Sequence, residues 1–194
     1  MTGPLTGPPA TEGARRRGGL IVPVPEAEAA ITTLPDACVP IWQAGIPAHV
    51  TLLFPFHTSE ALGSDGVAAL GRLLAAWPAT QAVLHGVGQF PDVLYLAPEP
   101  RAWFTNLTDA LAQRYTLQPY GGLHDDVVPH LTVTRHADPA VLARVGATLA
   151  PCLPIVTDMR EVWLMEEQTD GHWIRTVAFP LGPPGQEAAR PSSA

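Results

Sequence analysis

One short pattern occurs twice in this chain, and the duplication constrains the fold more than any other feature. His49-Val50-Thr51-Leu52 and His130-Leu131-Thr132-Val133 both read histidine, apolar, threonine, apolar, and they start 81 residues apart. Side chains two positions apart on a β-strand point to the same face. Each string therefore predicts an imidazole beside a hydroxyl on one face of a strand, with two aliphatic side chains on the other face.

The segments that follow the two strings also match in kind. A strand, a helix and a hairpin are predicted after each histidine, with hairpin turns near residues 88–92 and 169–171, at a similar distance from it. Such a repeat indicates an internal duplication. We predict an α+β protein with two pseudo-symmetric lobes, each a small antiparallel sheet flanked by helices, around a central cleft that holds both histidines and both threonines.

Apolar periodicity and turn-forming residues predict the individual elements. Helices are expected over residues 25–34, 65–77, 100–115 and 139–149, the second capped by Asp65 and the fourth by Asp138. Strands are expected over residues 20–24, 49–54, 79–87, 93–97, 130–134, 155–166 and 172–181, with a long loop at 116–129. A loop of that length in a compact domain is often functional.

The two ends of the chain differ in composition from the middle. Residues 1–18 are rich in glycine, proline and threonine and include an arginine triplet at 15–17, and residues 183–194 are rich in proline, alanine and serine. Both segments are predicted to be disordered. Residues 19–182 then form one domain of two lobes.

Composition excludes several classes of partner. The formal net charge is -7, so long-range attraction to duplex nucleic acid is weak, and no duplex DNA partner is expected. No apolar run reaches the roughly 20 residues of a membrane span, and the N-terminus lacks a secretory signal. Cys38 and Cys152 fit small apolar filler residues rather than a disulfide or zinc site. We expect a cytoplasmic monomer with no membrane partner.

These features resemble the 2H phosphoesterases, a family that includes the bacterial 2′-5′ RNA ligase-like and 2′,3′-cyclic phosphodiesterase proteins. The family's hallmark is two His-x-Thr/Ser motifs, each followed by an apolar position, at about this separation. His-Val-Thr-Leu-Leu-Phe-Pro-Phe at 49–56 is similar to the first motif, and His-Leu-Thr-Val-Thr-Arg at 130–135 to the second. The resemblance covers roughly residues 20–182.

The resemblance implies acid–base catalysis by His49 and His130 and phosphate binding by Thr51 and Thr132, without a metal or other cofactor. The chemistry of the residues agrees, because a histidine acts as base or acid near neutral pH and a hydroxyl stabilises charge on phosphate oxygens. The activity expected is hydrolysis of a 2′,3′-cyclic phosphate or a 2′-5′ phosphodiester in a small nucleotide or RNA end. The residues do not assign which histidine is the base.

Three further residues are candidates for contact with the substrate. Arg135 follows the second motif but is one position out of step with His130 and Thr132, so on a regular strand it would face away from the cleft. Phe56 and Tyr120 are candidates for stacking on a base, with core packing as the alternative for Phe56.

Two other functions stay open at this level. One is a module that binds a nucleotide or an RNA end in the same cleft without turnover. The other is a metallohydrolase that uses His124, Asp125, Asp126 and His130, although their spacing fits no standard ligand set.

Overall fold

The fold is seen in a computed structural model that describes residues 17–32, 34, 45–123 and 127–184. The strands in these residues are β1 (Gly18–Pro23), β2 (His49–Phe56), β3 (Thr80–Phe90), β4 (Val93–Glu99), β5 (Leu131–Arg135), β6 (Ile155–Met159), β7 (Glu161–Glu167) and β8 (Trp173–Pro180). The helices are α1 (Pro25–Ile31), α2 (Ser59–Ala75), α3 (Arg101–Tyr115) and α4 (Pro139–Leu149), with short 3₁₀ turns at Pro119–Gly122 and Ala150–Cys152.

The strands form two four-stranded antiparallel sheets, so the predicted fold class is confirmed. The first sheet has the order β2-β1-β7-β8 and the second the order β5-β4-β3-β6. Each sheet combines both halves of the chain. The hairpin β3–β4, which follows the first motif, lies in the sheet of the second motif, and β7–β8 lies in the sheet of the first. The two motif strands, β2 and β5, are edge strands in corresponding positions, and they contact each other.

One continuous hydrophobic core joins the two lobes. Fully buried residues come from both sheets and from the inner faces of the helices, among them Leu20, Leu53, Leu96, Leu131, Leu70, Leu107 and Leu142. Burial of a leucine side chain stabilises a fold by about 1.5–3 kcal/mol. The shared core therefore holds the two motif strands in a fixed relation to each other.

Two predicted helix starts have different outcomes. α4 begins as predicted, since Asp138 accepts a hydrogen bond from the backbone N–H of Ala140 at 2.8 Å. α2 spans Ser59–Ala75, but Gly63 interrupts it with a non-helical backbone (φ 65°, ψ 174°), so a short turn from Ser59 precedes the predicted helix that begins near Asp65. Thr58 is its N-cap and accepts from the N–H of Ala61 at 3.2 Å. Thr58 therefore caps the turn that lies before the break at Gly63.

The predicted strand over residues 155–166 is two strands in different sheets. β6 ends at Met159 and pairs with β3, whereas β7 begins at Glu161 and pairs with β1. Buried and exposed residues alternate on both sides of Arg160, so the sequence pattern predicts a single strand. Gly18, which the sequence places in the N-terminal disordered segment, belongs to β1 and pairs with Phe56. The remaining residues of both predicted disordered ends lie largely outside the described part of the chain.

Two composition-based expectations are also addressed by the structure. Cys152 is exposed in a 3₁₀ turn, so its interpretation as a buried filler is wrong. Cys38 lies outside the described residues. In the part of the chain that the structure describes, every helix is too short or too polar to cross a bilayer.

Candidate active site

The edge strands β2 and β5 border a cavity between the two sheets. Its volume is about 280 Å³, and His49, Thr51, His130 and Thr132 all lie in its wall. The structure therefore brings together the four motif residues that the sequence places on strand faces. The alternation of burial explains the placement, because Val50 and Leu131 beside them are fully buried.

The two imidazoles are held by the same kind of hydrogen bond. His49 Nδ1 lies 2.7 Å from the carbonyl oxygen of Pro47, and His130 Nδ1 lies 2.8 Å from the carbonyl oxygen of Val128. A carbonyl oxygen only accepts, so Nδ1 carries the proton and donates it in both rings. Nε2 is then the nitrogen that gains or loses a proton. The hydrogen bond at Nδ1 fixes both the tautomer and the orientation of each ring.

The electrostatics of the cavity favour the neutral form of His49. Burial lowers the pKa of His49, because the imidazolium loses hydration, and positive charge on His130 lowers it further. The hydrogen bond to the carbonyl of Pro47 acts in the opposite direction. Since the cavity places the two imidazoles near each other, a proton on one disfavours a proton on the other.

A β-bulge turns Arg135 towards the cavity, so the expectation that it faces away is wrong. Tyr95 of β4 pairs with Thr132, but the next pair is Leu94 with Thr134, which leaves Val133 as an extra residue. An extra residue reverses the alternation of side chains beyond it. Arg135 consequently lines the same cavity as Thr132, and its guanidinium lies 3.6 Å from Asp92.

The first motif has a bulge at the corresponding place. Leu53 pairs with Leu20 and Thr51 with Ile21, so Leu52 is the extra residue. The reversal brings Phe54 into the wall of the cavity. Phe54 thus holds the position in the first motif that Arg135 holds in the second, and it was not among the residues predicted from the sequence. The available signal was spacing, because Phe54 follows His49 by the same number of positions as Arg135 follows His130.

An aromatic wall forms the side of the cavity on the first sheet. The rings of Phe54 and Trp173 lie 6.0 Å apart, and Gly19 and Met165 complete this wall. The guanidinium of Arg17 lies 5.7 Å from the Phe54 ring. Trp173 comes from β8, which follows the second motif in the chain but lies in the sheet of the first motif. The two rings are inclined at 60° to each other and the wall is largely apolar, so it offers aromatic faces of the kind on which a nucleobase stacks.

Tyr120 closes the cavity beside Thr51. It lies in the 3₁₀ turn packed against β2, with a left-handed backbone (φ 53°) that is uncommon for a residue other than glycine. Its side chain is hydrogen-bonded to that of Thr51. Burial raises the pKa of the Tyr120 phenol, and the bond to Thr51 opposes this effect. Tyr120 therefore stays a neutral hydroxyl that contacts one of the motif threonines.

Two other sequence candidates lie elsewhere. Phe56 is 6% exposed and packs edge-on against Tyr115 with ring centroids 4.9 Å apart. It is therefore a core residue, as the alternative interpretation has it, and it does not line the cavity. His124, Asp125 and Asp126 lie outside the described residues. Among the residues that are described, no three histidine, cysteine, aspartate or glutamate side chains are grouped as metal ligands would be.

Comparisons with known proteins agree with this architecture. The sequence pattern of the 2′-5′ RNA ligase superfamily matches residues 23–171. The fold is similar to that of TT0787 of Thermus thermophilus, which is 22% identical with a TM-score of 0.59, covering 86% of this chain and 98% of that one. No curated protein sequence matches the chain.

Two further solved structures share the fold. A phosphoesterase is 18% identical with a TM-score of 0.59, covering 87% of this chain and 99% of that one. E. coli LigT complexed with NADP+ is 19% identical with a TM-score of 0.53, covering 86% and 98%. At these identities the likeness establishes the fold.

Proposed function

The chain belongs to the 2′-5′ RNA ligase superfamily, and from this premise we propose that it hydrolyses 2′,3′-cyclic phosphates or 2′-5′ phosphodiesters in small nucleotides or RNA ends. The sequence resemblance to this group is confirmed, and membership supports an enzyme of the phosphoesterase or ligase type. One observation carries the finer proposal: two imidazoles and two hydroxyls, from strands far apart in the chain, line one cavity.

The proposed reaction is a direct displacement at phosphorus. One imidazole takes a proton from a water molecule as the water oxygen forms a bond to phosphorus. The other imidazole gives a proton to the ester oxygen as the phosphorus–oxygen bond breaks. A cyclic phosphate then yields a monoester. One histidine has gained a proton and the other has lost one, so the total number of protons on the pair is unchanged. The histidines, the hydroxyls and water suffice for this sequence, so we propose that it needs no metal.

The environment of His49 supports its assignment as the base. A general base must be neutral before the reaction, and burial together with His130 lowers the pKa of His49. His130 is then the proposed acid. Its ring packs edge-on against Phe90 and Tyr95, with centroids 5.3 and 5.5 Å away. The positive edge and negative face of aromatic rings make such arrangements favourable and hold the ring in place.

The hydroxyls and the guanidinium have a separate proposed role. Negative charge builds on the non-bridging phosphate oxygens during the displacement, and fixed donors lower the barrier. Thr51 and Thr132 supply one hydroxyl each from the cavity wall, and Arg135 supplies positive charge. We assign the nucleoside to the aromatic wall, where Phe54 and Trp173 face the base.

The test is hydrolysis of 2′,3′-cyclic nucleotides in buffer containing EDTA. The purified chain is expected to release a monoester. His49→Ala and His130→Ala are each expected to lower kcat by about 10²–10⁴-fold, the usual contribution of general acid–base catalysis. His85→Ala is the matched control, because His85 is exposed on β3 and lies outside the cavity.

Three outcomes would reject the proposal. Full activity in either cavity variant would exclude the histidine pair, and loss of activity in EDTA would exclude the metal-free route. Tight nucleotide binding with no product over a long incubation would favour the binding-module alternative.

A further inference from the structure

The hydrogen bond that holds the His49 ring ends on a peptide group that has a second partner. His49 Nδ1 donates to the carbonyl oxygen of Pro47 at 2.7 Å. That carbonyl belongs to the same planar unit as the N–H of Ala48, because a peptide group joins the C=O of one residue to the N–H of the next. The Ala48 N–H donates to a carboxylate oxygen of Glu28 at 3.3 Å. One peptide group therefore connects the imidazole with a carboxylate.

The turn from β1 into α1 carries Glu28 to this peptide. Pro23 at the end of β1 pairs with His49 at the start of β2. Glu28 lies in the first turn of α1, which follows at once. Ala48 is 1% exposed, and its own carbonyl oxygen accepts from the backbone N–H of Val24 at 2.7 Å. Ala48 is thus held at both its N–H and its carbonyl by the segment that begins α1.

The second motif lacks such a connection. His130 Nδ1 donates to the carbonyl oxygen of Val128, and the residue after Val128 is Pro129. A proline nitrogen carries no hydrogen, so the Val128–Pro129 peptide has no N–H to donate to an acceptor. A carboxylate can therefore act through the peptide that holds His49 but not through the one that holds His130. The two histidines differ in this respect although their own hydrogen bonds are alike.

A carboxylate at the Ala48 N–H affects the other end of the same peptide. Hydrogen bonds in a chain polarise one another, and the effect is larger where water is excluded. Negative charge beside the N–H moves electron density towards the carbonyl oxygen of Pro47, which becomes a stronger acceptor for His49 Nδ1. A stronger acceptor favours the imidazolium over the neutral ring. Glu28 is exposed, and a carboxylate in contact with water is ionised at neutral pH.

We propose that Glu28 is a positioning residue for His49: through the Pro47–Ala48 peptide, its carboxylate orients the imidazole and stabilises the imidazolium that forms when His49 takes a proton from water. This role rests on the proposed function, in which His49 is the base. The proton moves from the water oxygen to Nε2, and Nδ1 keeps its own proton throughout. Burial favours the neutral ring before the reaction. Glu28 stabilises the protonated ring after it, as the aspartate of a Ser-His-Asp triad does by direct contact.

Other charged groups lie around the two ends of this connection. Among the described residues, the titratable or charged ones that line the cavity with His49 are His130, Tyr120 and Arg135. On the outer side, Glu28 and Trp163 border one surface groove. Arg175 lies 4.4 Å from the centroid of the Trp163 ring, and Glu161 accepts from the indole N–H at 2.6 Å. All of these groups stay in place when Glu28 alone is replaced.

The test compares Glu28→Gln with Glu26→Gln. Glutamine at position 28 keeps the length of the side chain and an acceptor oxygen for the Ala48 N–H, but it removes the charge. Glu26 is exposed in the same helical turn, so its replacement is the matched control for net charge. On a 2′,3′-cyclic nucleotide, the acidic limb of the kcat/KM profile is expected to move to lower pH in Glu28→Gln and to stay in place in Glu26→Gln. We expect kcat to fall roughly 2- to 12-fold in Glu28→Gln, the usual effect of one hydrogen bond, with KM unchanged.

NMR titration of the His49 ring separates this role from the proposed function, because it needs no turnover. The pKa of His49 is expected to be lower in Glu28→Gln than in the unmodified chain and unchanged in Glu26→Gln. An equal His49 titration in Glu28→Gln and the unmodified chain would overturn the inference. A lower kcat with an unmoved pH profile would also overturn it, because Glu28 would then only support the chain before β2. If the unmodified chain hydrolyses no cyclic nucleotide, the proposed function fails, and the titration still decides whether Glu28 acts on His49.

Discussion

Replacing Thr108 with valine tests whether the bulge in the first motif depends on a contact from α3. Thr108 is 5% exposed, and its hydroxyl donates to the carbonyl oxygen of Leu52 at 3.0 Å. Leu52 is the extra residue of that bulge. Valine keeps nearly the same shape but removes the donor, so the Leu52 carbonyl loses a hydrogen bond in a buried position.

The expected cost follows from that lost bond. Leaving a buried acceptor unsatisfied costs about 1–3 kcal/mol. In a chain of this size each kcal/mol lowers Tm by about 2–4 °C, so the expected decrease is about 2–12 °C. We also expect kcat on cyclic nucleotides to fall, because the bulge sets which residues after Thr51 reach the cavity.

Thermal and urea unfolding of Thr108→Val and Thr105→Val provide the assay. Thr105 lies on the same helix, is half-buried, and its hydroxyl donates to carbonyl oxygens of that helix. Its replacement is expected to change the free energy of unfolding by less than about 0.5 kcal/mol. Equal stability of the two variants would refute the idea that the bulge carbonyl depends on Thr108.

Three further predictions concern the cavity. His130→Gln removes a positive charge near His49, so the pKa of His49 should rise. It should stay below its ordinary value, because His49 remains buried. NMR titration of the His49 ring in the unmodified chain and in the variant measures the two pKa values. Tyr120→Phe removes the hydroxyl bonded to Thr51 and should lower kcat/KM roughly 2- to 12-fold, and unchanged steady-state kinetics would dismiss that contact. Arg135→Ala should raise KM about tenfold for a phosphodiester, with partial recovery in Arg135→Lys, whereas an unaltered KM would show that the exposed guanidinium stays with Asp92.

The motif residues could be placed from sequence because strand alternation is local. His49 and Thr51 share a face whatever the rest of the chain does, and so do His130 and Thr132. Their convergence followed from the repeat, since equivalent strands of a duplicated fold occupy equivalent positions. Both inferences use only spacing and residue type.

The residues beyond each threonine could not be placed in the same way. A bulge adds one residue to a strand without any marked change in composition, and it reversed the side chains after Thr51 and Thr132. For that reason regular alternation places Arg135 and Phe54 away from the cavity, whereas both line its wall. The prediction for Phe56 has another origin, its aromatic ring, and that ring packs in the core. Side-chain direction after a bulge depends on the partner strand, which single-sequence alternation does not reveal.

The exchange of the hairpins β3–β4 and β7–β8 between the two sheets could not be predicted from the sequence either. Residues 155–166 carry one continuous strand pattern, yet the chain passes from the second sheet to the first at Arg160. That passage brings β8, and with it Trp173, to the cavity. The aromatic wall thus depends on topology, whereas the histidines and threonines depend on local pattern.

A crystal structure with a vanadate transition-state analogue of a 2′,3′-cyclic nucleotide would show whether both imidazoles act on one phosphorus atom. One vanadium centre is expected in the cavity between the two motif strands, with Nε2 of His49 and Nε2 of His130 each within about 3.2 Å of an oxygen on that centre. A vanadate held by only one of the two imidazoles, or bound away from both motif strands, would contradict that expectation.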